Sequence, residues 1–216
     1  MTHIVLMRHG RTAWNQQPRF RGQADVPLDE MGLMQATKTG RFLATHWPPA
    51  AIYASPLQRT MQTAEAVSRE TQAPFQALDS LLDIHFGELQ GLTAEEAQET
   101  YPDLFTAWST IPHTVQFPGG ENLDVVRQRV CKTLSLIIDE HPDETTVLVS
   151  HTVYNRIMLC VVLGWDNSRF WDMGQSICAV NVFRPIEDKE HAYHIITLNS
   201  TAHLNHAHKS SQEEKR

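Results

Sequence analysis

Apolar residues recur along this chain in two alternating rhythms. Short runs at Ile4-Val5-Leu6-Met7, Ala51-Ile52-Tyr53-Ala54-Ser55 and Thr145-Thr146-Val147-Leu148-Val149-Ser150 read as buried strands. Between them, Leu33, Ala36, Gly40, Leu43 and Trp47 fall at helical spacing over 32–47, and Leu123, Val126, Val130, Leu134 and Ile137 draw one apolar stripe along a later helix. Pro56 sits where a first helical turn tolerates proline, which predicts a helix from there through about Glu70. Two further strands are read over 177–183 and 193–198. Strand and helix therefore alternate, and the pattern predicts an α/β protein: a three-layer α/β/α sandwich around a mainly parallel sheet.

The stretch from about Asp83 to Gly120 breaks that rhythm. Phe86, Leu89, Leu92, Leu104, Phe105 and Trp108 stand among polar residues, and Thr93-Ala94-Glu95-Glu96 has the form of a capping box. It reads as a helical lid inserted over one end of the sheet, closed by Pro118-Gly119-Gly120 before a long helix that begins near Glu121. No internal repeat is present. The expected organisation is a single domain over 1–204, with the insertion at about 83–120, followed by a polar tail over 205–216 that is expected to be disordered.

Composition narrows the class. With 216 residues, 41% apolar and 20% charged, the chain supports one sizeable soluble core. No run approaches the roughly 18–20 apolar residues of a membrane span, and the N-terminus lacks a signal-peptide pattern, so a cytoplasmic location is expected. A net charge of -7 argues against nucleic acid or an anionic membrane as partner. A small anionic substrate stays open provided positive charge is local, and a homodimer stays open too. Cys131, Cys160 and Cys178, odd in number and widely spaced, fit buried reduced thiols better than a disulfide framework or zinc site.

Local positive charge is found at the strand ends. Arg8, His9 and Gly10 follow the first strand, Arg59 lies near the start of the helix after the second, and His151 follows Val147-Leu148-Val149-Ser150 directly. Parallel strands end on one side of a sheet, so two arginines and two histidines converge there. Arginine offers planar paired donors to phosphate, glycine allows close backbone approach, and imidazole serves as nucleophile or acid-base group. The late His191, His194, His203, His206 and His208 lack a fixed carboxylate or cysteine partner, so no metal site and no cofactor is expected.

Leu6-Met7-Arg8-His9-Gly10, Trp14-Asn15, Arg21-Gly22, Asp25-Val26-Pro27-Leu28, Ser55-Pro56-Leu57-Gln58-Arg59-Thr60, Phe86-Gly87-Glu88-Leu89-Gln90-Gly91, Pro118-Gly119-Gly120-Glu121 and Val149-Ser150-His151 follow one another in this order. In this the chain resembles the histidine phosphatase superfamily, in its phosphoglycerate-mutase-like branch. The resemblance runs from residue 4 to about residue 204. It implies a phosphohistidine intermediate without metal, with His9 as nucleophile, Arg8, Arg59 and His151 as the phosphate clamp, and Asn15, Arg21 and Gly22 as further substrate contacts. The leaving-group acid of the family is a glutamate four residues before the glycine of the Phe-Gly motif; Asp83 stands there instead, with Glu88 and Glu121 as alternatives. Arg21 stands where relatives often have glutamine and adds positive charge at the pocket mouth.

Pro112 to Glu121, Ser150-His151-Thr152-Val153, Phe170-Trp171 and Leu198 to Leu204 look most like metal-independent phosphoserine phosphatases and α-ribazole-phosphate or broad-specificity phosphatases. That likeness adds Thr152 to the substrate contacts. Phe86 occupies the place of a substrate-binding histidine in the phosphoserine subgroup, with His85 one residue earlier. The resemblance also implies that 199–204 folds back beside the active site. The expected activity is hydrolysis of small phosphorylated metabolites such as phosphoserine or α-ribazole phosphate. A phosphoglycerate mutase and a catalytically weak phosphate-binding regulatory protein are the rival readings.

Overall fold

The structure, a computed structural model, describes residues 1–15, 19–186, 189 and 192–207. Six strands form one sheet: β1 (His3–Arg8), β2 (Ala51–Ala54), β3 (Phe75–Ala77), β4 (Thr145–Ser150), β5 (Val180–Pro185) and β6 (Tyr193–Ser200). Their spatial order is β3-β2-β4-β1-β5-β6. The first four run parallel, whereas β5 and β6 pair antiparallel, so the late strands complete the sheet as an antiparallel edge.

Alternation along the strands builds two cores, because successive side chains point to opposite faces. Val5, Met7, Ile52, Ala54, Val147 and Val149 meet Leu43 of α1 (Glu30–His46) and Ala64 and Val67 of α2 (Gln58–Thr71). Ile4, Leu6, Tyr53 and Leu148 face the other way, onto the apolar stripes of α5 (Leu123–Glu140) and α6 (Thr152–Val162). All five stripe residues of α5 are buried, each contributing about 1.5–3 kcal/mol. This is the three-layer α/β/α arrangement. Cys131 lies one position off the stripe and is exposed, which corrects the expectation of three buried thiols; Cys160 and Cys178 are buried.

Between Asp83 and Gly120 lie α3 (Ala94–Thr100) and α4 (Pro102–Thr110). The capping box forms in full: Glu96 N–H donates to Thr93 Oγ1, and Thr93 N–H to the Glu96 carboxylate. Phe86, Leu89, Trp108 and Phe117 of this segment join the α5/α6 core.

Helix α2 starts at Gln58, two residues beyond Pro56, so the proline precedes the helix instead of occupying its first turn. Its cap comes from far away in sequence. Asp25 accepts from Gln58 N–H at 2.7 Å and from Gln58 Nε2 at 2.9 Å. Of the late histidines, His203 sits against α1, bonded to Thr39 Oγ1 at 2.9 Å and stacked on Phe42 at 5.0 Å, and His194 is exposed on β6. Residues 202–207 form a short 3-10 helix, which takes in the first three residues of the polar tail. His191, His208, the His206 side chain and the tail from 208 lie outside the described residues.

The turn after β1 is seated on the start of α1. Asp29 caps α1 by accepting from Gly32 N–H at 2.8 Å, and it pairs with Arg11 Nε at 2.8 Å. A β-carbon on Gly32 would fall 2.1 Å from the Arg11 carbonyl oxygen, and one on Gly10 would fall 2.6 Å from the Gly32 oxygen. Alanine at a helical glycine ordinarily gains about 1 kcal/mol. Here the clash is with backbone, and overpacking of that kind costs about 1–3 kcal/mol. Gly32→Ala is therefore expected to lower the urea unfolding midpoint; a raised midpoint would show that the turn yields freely.

Candidate active site

The parallel register places the strand ends side by side. Arg8 pairs with Ser150 and Ala54 with Val149, so the residues that leave β1, β2 and β4 open onto a common space. His9 N–H donates to the Ser150 carbonyl at 3.1 Å, and Gly10 N–H to Thr63 Oγ1 at 3.1 Å, which fixes the turn against β4 and α2.

His9 is 2% exposed, and its Nδ1 lies 2.7 Å from the Gly10 carbonyl oxygen. A carbonyl only accepts, so Nδ1 carries the proton and Nε2 keeps its lone pair. Burial, then the charges of Arg59, Arg8 and Arg21, hold the imidazole well below its ordinary pKa of 6.5. It is a neutral ring with a free nucleophilic nitrogen.

His151 stands 5.4 Å from His9, ring centre to ring centre, at the N-terminus of α6. Arg59 Nε donates to its Nδ1 at 3.1 Å, which requires an acceptor there and puts the proton on Nε2. That Nε2 is buried and has no partner in the protein. Burial and the Arg59 charge keep this ring neutral too, so His151 offers one uncharged donor.

Arg59, 0% exposed, also donates to the carbonyls of Gly22 and Ala24, each at 2.7 Å. Gly22 adopts φ +47°, where a β-carbon would fall 2.8 Å from the Ile84 oxygen, so the turn that presents its carbonyl requires glycine. Arg8 donates to the Gln175 carbonyl at 2.7 Å while its Nε stays unpartnered. Burial lowers the pKa of Arg8 and of Arg59 to about 10, which leaves both charged at neutral pH.

Asp83 is buried beside these cations and accepts from Tyr154 N–H at 3.3 Å. Burial raises its carboxyl pKa, opposed by Arg59 and by the N–H groups of Tyr154 and Ile84. The loop that carries it is fastened from behind. Arg129 Nη2 donates to the Leu82 and Asp83 carbonyls at 3.0 and 3.3 Å, and the same guanidinium pairs with Glu121. Glu121 in turn accepts from His85 N–H at 2.8 Å. Glu121 is thus occupied in holding the loop, and Glu88 is bonded to the Tyr101 hydroxyl at 2.7 Å; neither lines the cavity.

That cavity measures about 360 Å³ and is lined by Arg8, His9, Arg21, Gly22, Arg59, Asp83, Phe86 and Thr152 among others. Asn15, His85 and His151 do not line it, though His151 lies fully buried beside His9, which does. The Asn15 side-chain oxygen accepts from Thr12 N–H at 2.9 Å, and His85 Nδ1 accepts from Gly87 N–H at 3.1 Å. Residues 199–204 do not line it either. Asn199 instead accepts from Ser176 N–H at 2.8 Å, beside the Gln175 carbonyl that holds Arg8. The structure adds Arg19, Phe20, Ala94, Val153, Arg156, Phe170 and Trp171 to the wall. Of these, Phe170-Trp171 carried a family likeness, whereas Arg156 carried no signal beyond standing five residues after His151.

Two neutral histidines within a ring of arginines, beside a buried carboxyl group, make a candidate site suited to a phosphoryl group. The model of the histidine phosphatase superfamily, branch 1, matches residues 4–197, and the chain belongs to that superfamily. It is 36% identical to phosphoserine phosphatase 1 of Hydrogenobacter thermophilus over 204 residues, covering 94% of this chain and 95% of that one. With a metal-independent phosphoserine phosphatase of Arabidopsis thaliana it shares 34% identity over 153 residues, 70% of this chain and 64% of the relative. Among solved structures, Bacillus stearothermophilus YhfR superposes with a TM-score of 0.87 at 28% identity, covering 94% of this chain and all of that one. Among the described residues no group of three His, Cys, Asp or Glu side chains could hold a metal ion, and no helix is long and apolar enough to cross a membrane.

The two depressed histidines of the site make a linkage prediction, alongside His203, whose pKa burial lowers to about 4. Their folded pKa values lie below the ordinary 6.5, so the unfolded chain binds protons that the folded chain refuses. The associated stability is complete above pH 6.5 and is lost as pH falls from there toward the depressed values. Urea unfolding between pH 7.5 and 5 is expected to show declining stability, with a shallower decline in His151→Asn. An equal slope in the variant would show that His151 is not held neutral by the fold.

Proposed function

We propose that this phosphatase hydrolyses small phosphomonoesters, phosphoserine or a related metabolite among them, through a phosphohistidine formed on His9. The observation that carries this is the protonation pattern of His9: Nδ1–H committed to the Gly10 carbonyl, Nε2 free and neutral. The likeness to phosphoserine phosphatases supports the substrate class.

In the first step His9 Nε2 attacks phosphorus in line, and the bond from phosphorus to the ester oxygen breaks. Charge builds on the equatorial oxygens, where Arg8, Arg59 and the Nε2–H of His151 meet it. The departing alkoxide takes a proton from Asp83, whose burial keeps the carboxylic acid protonated to higher pH than an exposed aspartate. In the second step the Asp83 carboxylate takes a proton from water as the water oxygen attacks phosphorus. The bond from phosphorus to nitrogen breaks, orthophosphate leaves, and both residues return to their starting states.

His9→Ala is expected to abolish turnover and the acid-labile phosphoenzyme while far-ultraviolet circular dichroism stays unchanged. Loss of a general acid-base group alone costs about 10²–10⁴ in rate, so more than about a hundredth of wild-type turnover in the variant would remove His9 as nucleophile. Phosphate release from a monoester without a bisphosphorylated primer separates this reading from a mutase.

Asp83→Asn is expected to slow alkyl phosphates by about 10²–10⁴ and p-nitrophenyl phosphate far less, because a stabilised phenolate leaves without a proton. On alkyl esters the wild type should lose kcat as pH rises through the raised Asp83 pKa, and the variant should lack that limb. Equal losses on both ester types would assign Asp83 a positioning role.

A further inference from the structure

The cavity holds more cation than one phosphoryl group uses. Arg8 and Arg59 on the wall, with the buried Nε2–H of His151 beside His9, suffice to surround three oxygens, yet Arg21 and Arg156 line the same space. Each has a buried Nε with no partner in the protein. Arg156 is also held in place: its guanidinium lies 5.1 Å from the Phe170 ring and 4.6 Å from Trp171, and Trp171 Nε1 is tied to the Trp108 carbonyl at 2.8 Å. Stacking on aromatic faces restrains a guanidinium without using its N–H donors. A buried donor left unmatched is unfavourable until a ligand accepts from it.

The negative charges on the wall are as telling. Asp83 is the one carboxylate among the described lining residues, and the reaction requires it as an acid. The wall thus offers donors to a second anion and no carboxylate to pair an ammonium group.

We propose that Arg156, with Arg21, forms a second anion subsite that selects phosphomonoesters bearing a carboxylate on the esterified fragment, and that this subsite takes a carboxylate without an adjacent ammonium in preference to one with it. The inference rests on the phosphatase reading above and deepens it. Phosphorylated hydroxy acids are then better substrates than phosphoserine, phosphoserine better than glycerol phosphate, and phosphoethanolamine the poorest.

The test is kcat/KM of the full chain on 2-phosphoglycolate, O-phosphoserine, glycerol 1-phosphate and O-phosphoethanolamine, for the wild type and for Arg156→Gln, Arg156→Lys and Arg156→Glu. A charge-assisted hydrogen bond is worth about 10- to 150-fold in binding. Arg156→Gln is therefore expected to lower kcat/KM for 2-phosphoglycolate by about 10- to 100-fold more than for glycerol phosphate, with the loss in KM. Arg156→Lys should recover part of that selectivity, and Arg156→Glu should turn it toward phosphoethanolamine. A wild type that hydrolyses all four esters at similar rates overturns the subsite while leaving the phosphatase reading intact. A uniform loss across esters in Arg156→Gln, unrecovered by lysine, overturns it in favour of a structural role. A wild type that hydrolyses none of these esters, nor p-nitrophenyl phosphate, overturns the phosphatase reading itself.

Discussion

The hydrogen bond from Arg59 Nε to His151 Nδ1 is the contact on which the rest of the site depends. A guanidinium has no acceptor, so this bond settles the tautomer of His151 and points its remaining N–H away from Arg59. The other end of the same guanidinium grips the Gly22 and Ala24 carbonyls, so one buried side chain joins α2, the start of α6 and the 22–24 loop. Burying that charge is unfavourable in itself; three protein acceptors and the nearby Asp83 carboxyl compensate. Losing Arg59 would release both the loop and the imidazole that it orients, besides removing the phosphate ligand proposed above.

The sheet supplies the second constraint. Because β1, β2 and β4 run parallel with Arg8 beside Ser150, His9, Arg59 and His151 need no long loops to meet. Each sits within a few residues of a strand held by apolar packing on both faces, where small displacements are resisted. The acid is positioned differently. Asp83 lies on a loop and relies on Arg129, Glu121 and Gln23, the last donating from Nε2 to the Asp83 carbonyl at 3.0 Å. The histidines and Arg59 are thus set by strands, and Asp83 by a polar clasp.

Legibility followed the range of the interactions. Strands β1, β2, β4 and β6, the α5 stripe and the capping box at Thr93 are local patterns and appear where periodicity puts them, whereas β3, exposed along its whole length, gave no apolar signal and β5 begins at Val180, three residues later than read. Convergence of Arg8, His9, Arg59 and His151 followed from strand direction alone. The start of α2 was misplaced because its cap, Asp25, lies 33 residues upstream and leaves no mark beside Pro56. Arg156 escaped notice for a similar reason: the rings that hold it come from 170–171, and only the folded chain shows them facing one another. Asn15 and His85, named by motif likeness, stand outside the cavity lining, with side-chain acceptors engaged by Thr12 and Gly87.

Unsatisfied donors have a consequence after the chemistry is over. Orthophosphate, the leaving product, presents to Arg8, Arg59 and His151 the same oxygens that the ester did, and mutual repulsion among the arginines is relieved for as long as it stays. Under the proposed reaction, product and ester then compete for one set of donors, so inhibition by phosphate is built into the side chains that bind the substrate.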